Sequence, residues 1–296
     1  MARTKKNAKF LNIPAEYADA ATARYGVLPV PYEGTVSYKR GTASAPKQIL
    51  NASQQVELLD EELLQEYYKA GVATYPPIAP AKTPREEMRR VRAAALKIMK
   101  SGKFLLTFGG EHSITTALFD AAVEVHGPLS VLQIDAHADL RDSFRGTNLS
   151  HGCVMRRLME KARSLCQVGI RSFSSDELAQ CPRQAARFIT PQIIAADPDW
   201  IDRALSLLGP KVYLTIDVDG FDPSVVSGTG TPEPGGLSWQ QGLSLLRRVC
   251  TERTVVAADI VEIRPIPPSQ VSEFLAARLG YKIIAYTQAK RHVQKA

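Results

Sequence analysis

The 296-residue sequence has no uninterrupted apolar run near the roughly 18 residues that a membrane-spanning helix needs, so no membrane partner is expected. Its basic opening, MARTKKNAKF, has no apolar run behind it, so no secretory signal is expected. Cysteine is sparse. Cys153, Cys166, Cys181 and Cys250 are widely scattered, and none forms a C-x-x-C pair. Reduced thiols in a cytoplasmic protein are the simple expectation. There is no internal repeat, no low-complexity linker and no shift of composition that would mark a boundary. We therefore expect one domain over residues 1–296, with residues 1–20 as a basic N-terminal extension. With 45% hydrophobic residues, a chain of this length can bury a substantial core without disulfides.

Acidic residues are missing from both ends. Arg3, Lys5, Lys6 and Lys9 precede the first acid, Glu16, and Arg278, Lys282, Lys290, Arg291 and Lys295 follow the last, Glu273. Much of the formal net charge of +7 sits there, and solvated termini are the expected reading. No nucleic-acid recognition motif accompanies the charge, so no nucleic-acid partner is expected.

What is present is an alternation of apolar strands and amphipathic helices. Tyr25-Gly-Val-Leu-Pro-Val-Pro reads as an early strand. Thr83-Pro84-Arg85-Glu86 reads as a helix start, with threonine as cap, proline in the first turn and glutamate three residues on. That helix should run to near Gly102. Phe104–Phe108 and Leu129–Ile134 read as strands, with a helix over SITTALFDAAVEV between them. KVYLTID, SWQQGLSLLRRVC and TVVAADIVEI read as strand, helix, strand, and QVSEFLAARLG as a helix that can continue into YKIIAYTQ. Such alternation implies an α/β three-layer sandwich, a mostly parallel sheet flanked by helices. Ligands of such sheets bind beyond the carboxyl ends of the strands.

The polar clusters stand at those ends. Gly109-Gly110-Glu111-His112-Ser113 follows the Phe104 strand, and Asp135-Ala-His137-Ala-Asp139 follows the Leu129 strand. Asp217-Val-Asp219-Gly-Phe-Asp222 ends the third strand, and Glu262 ends the fourth. Residues i, i+2 and i+4 of an extended segment share a side, so Asp135, His137 and Asp139 converge if the strand continues that far, and Asp217 and Asp219 do likewise. Carboxylates gathered at a buried strand end demand a cation or protonation. Four aspartates and two histidines exceed what one tetrahedral zinc needs. They suit two divalent ions with bridging carboxylates, of the Mn²⁺ type. Any one motif alone is weak: Asp-Val-Asp-Gly resembles part of a calcium loop, and His112 could merely cap a helix. Their joint occurrence, in order, carries the reading.

The blocks GGEHS, DAHADLRD, SHG, DVDGFDPS, GTGTPEPGGL and DIVEIRP resemble the signatures of the ureohydrolase family, which includes arginase and agmatinase. They run in the family's order from Gly109 to Pro265, and the flanking pattern agrees over nearly the whole chain. The resemblance implies an arginase-like fold and two manganese ions per subunit. It implies His112 and Asp139 on one ion, His137 and Asp219 on the other, and Asp135 and Asp217 as bridges. All six positions hold the expected residue type, unlike the histone deacetylase relatives with their single-zinc set.

The implied reaction is amidinohydrolysis. A guanidinium is a poor electrophile, and two divalent ions acidify water to supply hydroxide near neutral pH. The resemblance assigns Asp139 as carrier of the proton that the leaving amine needs, His151 as proton shuttle in the substrate pocket, Glu262 as carboxylate partner of the guanidinium, and Thr231 as a second lining residue. The bland alternatives are a surface salt bridge for Glu262, a loop polar residue for Thr231 and a pocket-lining histidine for His151. His126 and His292 lie outside the motifs and read as structural or exposed. The overall positive charge does not recruit a cationic guanidine; local carboxylates must.

Within the family the blocks are most like agmatinase. Leu140-Arg141-Asp142 stands where arginase-like sequences carry an asparagine that holds the amino-acid end of arginine, and Glu233-Pro234 looks like agmatinase. Agmatine would yield putrescine and urea, in polyamine synthesis. The alternatives are N1-aminopropylagmatine, with Asp142 as tail partner, 4-guanidinobutyrate, drawn by Arg141 or Arg145, and arginine. A non-catalytic metal-binding scaffold would predict loss of Glu262, His151 or a ligand, and none is lost. Family members are commonly trimers or hexamers, so a homo-oligomer is expected by resemblance.

Overall fold

The computed structural model describes residues 8–293, and their side chains as far as Lys290. Seven parallel strands form one sheet in the order β2-β1-β3-β7-β6-β4-β5. They are β1 (Tyr25–Val30), β2 (Val72–Thr74), β3 (Phe104–Gly109), β4 (Ser130–Ile134), β5 (Ser164–Val168), β6 (Lys211–Asp217) and β7 (Thr254–Val261). The four whose ends carry the polar clusters, β3, β7, β6 and β4, are consecutive neighbours in the middle of the sheet. Residues far apart in the chain therefore meet at one edge.

Helices cover both faces, and side-chain alternation assigns each strand residue to one of them. Leu106, Leu132 and Leu214 pack against helices Ala45–Ala52, Trp239–Glu252 and Val271–Val293. Their neighbours Leu105, Val131 and Tyr213 pack against Pro84–Lys100, Thr115–His126 and Val154–Met159. Burial on both faces explains why the strands read as continuous apolar runs.

The local signals act as expected. Thr83 caps its helix by accepting from Glu86 N at 3.3 Å, with Pro84 at the first position. The third helix opens as a 3-10 turn at His112–Ile114 before the α-helix Thr115–His126. The two final segments form a single helix, Val271–Val293. Strands β2 and β5 escaped the sequence reading: one has three residues, and the other, Ser-Leu-Cys-Gln-Val, is interrupted by Ser164 and Gln167 despite being almost wholly buried.

The expectation of solvated basic ends holds at Lys9, which is exposed, but needs correction elsewhere. Arg3, Lys5, Lys6 and Lys295 lie outside the described residues, as does the side chain of Arg291. Arg278, Lys282 and Lys290, however, are parts of the packed last helix. Lys282 is wholly buried, 3.0 Å from the equally buried Asp60 and 2.9 Å from Glu61, and Lys290 donates to the Arg253 carbonyl. At the other end Phe10 and Leu11 are buried, the Phe10 ring lying tilted against Phe108 at 5.1 Å, and hydrogen bonds from their N–H groups reach Thr74 and Ser53. Lys282→Met would strand the Asp60 carboxylate in the core. Urea denaturation should show a loss of about 3–5 kcal/mol, the cost of breaking a buried pair from one side. A change below about 1 kcal/mol would contradict this reading of the pair.

Candidate metal centre and substrate cleft

Two glycines let the strand ends approach. A Cβ on Gly110 would lie 1.9 Å from the Tyr32 carbonyl oxygen, and one on Gly220 would lie 2.6 Å from Asp135 N. The Gly-Gly before Glu111 and the glycine of Asp-Val-Asp-Gly are thus packing requirements.

The convergence of Asp135, His137 and Asp139 is real, but its cause differs from the expected one. Strand β4 stops at Ile134, and the chain turns so that Asp139 adopts a left-handed φ of 51°. Asp217 ends β6, and Asp219 sits in a 3-10 turn, its N–H donating to Asp217 Oδ1 at 3.0 Å. Glu262 also has a left-handed φ, 62°. Left-handed backbone is costly for a residue with a side chain, and here it aims two carboxyl groups at the strand edge.

The side chains form two sets of donors joined by Asp135. His112, Asp135 and Asp139 bring ligand atoms within 4.8 Å of one another, and so do Asp135, His137 and Asp219. His112 Nδ1 lies 3.2 Å from Asp135, 3.1 Å from Asp139 and 3.6 Å from Asp217. His137 Nδ1 lies 3.0 Å from Asp219 and 3.6 Å from Asp135.

The buried neighbours decide what this arrangement can hold. Thr215 Oγ1 donates to Asp259 Oδ1 at 2.6 Å, so it accepts from His112 Nε2–H at 2.9 Å. The remaining nitrogen, Nδ1, is buried and makes no hydrogen bond despite three adjacent carboxylates. An imidazole there either carries a proton on Nδ1 or shares a cation with the carboxylates. A cation shared with the carboxylates would take up this unpartnered nitrogen and the surrounding negative charge together. The residues present therefore fit divalent cations.

The electrostatics agree in sign. Burial opposes charge on His137, yet the Asp219 and Asp135 carboxylates outweigh it and push it up to about 12. Burial, then the Asp135 charge, pushes Asp139 up to about 6. Burial, then Asp219, raises Asp217 well above the carboxylate range. Protons are being recruited where positive charge is short.

All nine predicted site residues except Asp135 line one cleft of about 280 Å³; Asp135 lies wholly buried beneath it. Glu262 Oε1 accepts from His112 N at 2.7 Å, and burial together with the Glu111 charge pushes its carboxyl up to about 8. Thr231 Oγ1 donates to Asp219 Oδ2 at 3.4 Å. His151 lies edge-on to Phe144 at 5.6 Å, and burial, then the charges of His112 and His137, lowers it to about 4. His126 is half-buried away from the cleft, and His292 lies outside the described side chains.

The loop residues expected to read the substrate tail have other partners. Asp142 is not on the cleft wall and pairs with Arg157 at 2.6 Å. Arg141 does line the cleft, 3.7 Å from Glu177 and over the Phe144 ring, while Arg145 donates to the Ser37 carbonyl. Several contributors were missed in the sequence. Gln133 donates to Asp135 Oδ2 at 2.6 Å and is itself held by Gln167, which Gln184 holds in turn. Glu177 lines the cleft mouth while capping the helix Ser175–Gln180. Thr35 reaches His151, and Glu111 holds Thr35. Only Glu111 carried a signal, its place in GGEHS.

The Arginase family matches residues 23–285. The chain is 39% identical over 278 residues to the N(1)-aminopropylagmatine ureohydrolase of Synechocystis sp., covering 91% of this chain and 90% of that one. It is 37% identical over 263 residues to the N(1)-aminopropylagmatine ureohydrolase of Thermus thermophilus, covering 88% and 89%. The structure of agmatine ureohydrolase from Thermoplasma volcanium superposes with a TM-score of 0.87 at 27% identity, covering 99% of this chain and 98% of that one. The chain therefore belongs to the arginase family, the ureohydrolase group that its sequence blocks resemble.

Thr215→Val keeps the shape of the side chain and removes the hydroxyl that orients His112. Mn²⁺ titration calorimetry should show about 10- to 100-fold weaker binding at one site, the usual cost of losing such a supporting bond. Unchanged affinity would mean that the Asp259–Thr215 relay does not orient the ligand.

Proposed function

We propose that this chain hydrolyses the guanidinium end of a linear guanidine with a cationic polyamine tail and releases urea. The observation that carries this is Glu262, held with one oxygen on His112 N beside two converging donor sets. His112 and Asp139 would hold one Mn²⁺, His137 and Asp219 a second, with Asp135 and Asp217 shared. When bound, two such ions acidify water near neutral pH and so provide hydroxide for attack on carbon.

The chain's own groups do the rest. The free oxygen of Glu262 takes guanidinium N–H bonds, and the arriving cation favours the ionised carboxylate against the burial and Glu111 charge that raise it, so the bonds are charge-assisted. Thr231 adds a hydroxyl on the same wall. Five acids, Asp139, Glu177, Asp217, Asp219 and Glu262, line the cleft against two bases, Lys39 and Arg141, which favours a cation despite the net charge of +7. Asp139 carries a proton towards the leaving amine, and His151 exchanges protons with solvent at the mouth.

Two substrates fit this reading. The block around Glu233-Pro234 favours agmatine, which would give putrescine. The two ureohydrolase relatives favour N1-aminopropylagmatine. Arg145 does not line the cleft, and Arg141, which does, already has the Glu177 carboxylate and the Phe144 ring beside it, which disfavours an acidic tail such as that of 4-guanidinobutyrate. The same reading takes the enzyme as a cytoplasmic homo-oligomer of one-domain subunits. Among the described residues, no helix is long and apolar enough to cross a membrane.

Urea release should be measured with Mn²⁺ on N1-aminopropylagmatine, agmatine, 4-guanidinobutyrate and arginine in parallel. One of the first two should give the highest kcat/KM. Glu262→Gln should lower it by about 10- to 100-fold, the equivalent of one charge-assisted hydrogen bond of about 1.5–3 kcal/mol. Preference for an acidic guanidine would overturn the tail assignment. No urea from any of the four, with metal shown to be bound, would overturn the guanidine assignment.

A further inference from the structure

His151 stands at the cleft with one ring nitrogen turned to a loop that the family blocks do not include. Its Nδ1 lies 3.1 Å from Thr35 Oγ1, and its backbone N–H donates to the same oxygen at 3.2 Å. Thr35 Oγ1 in turn donates to Glu111 Oε1 at 2.7 Å. Glu111 is wholly buried and accepts three more bonds, from Gly34 N and Thr35 N at 2.6 Å each and from Ser113 Oγ at 2.5 Å.

A hydroxyl has one proton to give and two lone pairs. The Thr35 proton is committed to Glu111. Were it turned to His151 instead, two oxygen acceptors would face each other at 2.7 Å with nothing between them. Towards His151 Thr35 can then only accept: the backbone N–H takes one lone pair, and a bare Nδ1 at 3.1 Å would set a second acceptor against the other, so the ring nitrogen there carries the proton. The nearest other hydroxyl, Ser150 Oγ, lies farther from Nδ1, at 3.4 Å. We propose that Glu111, acting through Thr35, fixes neutral His151 as the Nδ1–H tautomer and so presents Nε2 to the cleft as a proton acceptor.

This rests on His151 being the proton-exchanging group of the proposed reaction, and it sets the order of its work. His151 enters turnover taking a proton at Nε2 and becomes a donor only as the imidazolium, which returns that proton to solvent. Phe144, packed edge-on to the ring, holds its plane while Thr35 holds its edge. Thr35 and Glu111 are positioning residues and touch no reacting atom. The relay repeats the logic of Asp259–Thr215–His112, where a buried carboxylate also claims a threonine proton and dictates which nitrogen is left with a lone pair.

The test is magic-angle-spinning NMR on the full chain, labelled with ¹³C,¹⁵N-histidine and loaded with Zn²⁺ as a diamagnetic probe. His151→Asn assigns the signals. In the unmodified protein the protonated nitrogen of His151 should be the one bonded to Cγ, namely Nδ1. Thr35→Val should shift population to the Nε2–H form, and Thr35→Ser should restore the original pattern. With Mn²⁺, Thr35→Val should lower kcat about tenfold or more with KM little changed, and Thr35→Ser should recover most of it. A proton on Nε2 in the unmodified protein, or an unaltered tautomer in Thr35→Val, overturns the proposal. The NMR result stands whether or not urea is released, so failure of the proposed reaction and failure of the relay are told apart.

Discussion

Four aspartates meet at the ends of neighbouring strands, and their mutual repulsion must be answered by positive charge. Asp135, Asp139, Asp217 and Asp219 are all buried or nearly so. No hydrophobic contact offsets such a cluster, because the cost of leaving carboxylates unpaired in a dry site far exceeds that of an ordinary core substitution. The parallel sheet creates the problem by aligning strand ends. Its two helical layers hold those ends in place, and the carboxylates together with His112 and His137 make the place where cations would answer it.

The precision of the site comes from groups that do not themselves reach the cleft centre. Asp259 and Glu111 are buried carboxylates whose partners include threonine hydroxyls. Each hydroxyl has a single proton, so the carboxylate settles its direction and the adjoining imidazole follows. Gln133, Gln167 and Gln184 do comparable work for Asp135 through amides. Backbone strain adds to this. Asp139 and Glu262 both hold left-handed φ values, which the chain tolerates because close-packed glycines and strand ends fix their surroundings.

Much of this was legible in the residues. The apolar runs at β3, β4, β6 and β7 and the polar clusters behind them placed the edge of the sheet, and the cap at Thr83 placed its helix. The mechanism of convergence was not legible. Alternation along a strand suggested Asp135, His137 and Asp139 on one side, whereas the chain leaves the strand first and turns through a left-handed residue. Asp142, Arg141 and Arg145 were read as tail-binding candidates because they follow the block closely. Sequence proximity does not say which wall a side chain faces: Arg157 holds Asp142 and the Ser37 carbonyl holds Arg145, while Arg141 does line the cleft, beside Glu177 and Phe144. Thr35 gave no signal at all, since a threonine in a loop acquires its role only from what the fold brings against it. The basic C-terminal stretch misled for the same reason: Lys282 reads as a solvated charge until Asp60 is seen beside it.

Anomalous diffraction at the manganese edge, on crystals grown with Mn²⁺, tests the central claim most directly. Two peaks are expected, one beside His112 and Asp139, the other beside His137 and Asp219, with Asp135 and Asp217 between them. A single peak, or metal bound away from these six side chains, would contradict the reading that two cations balance this cluster.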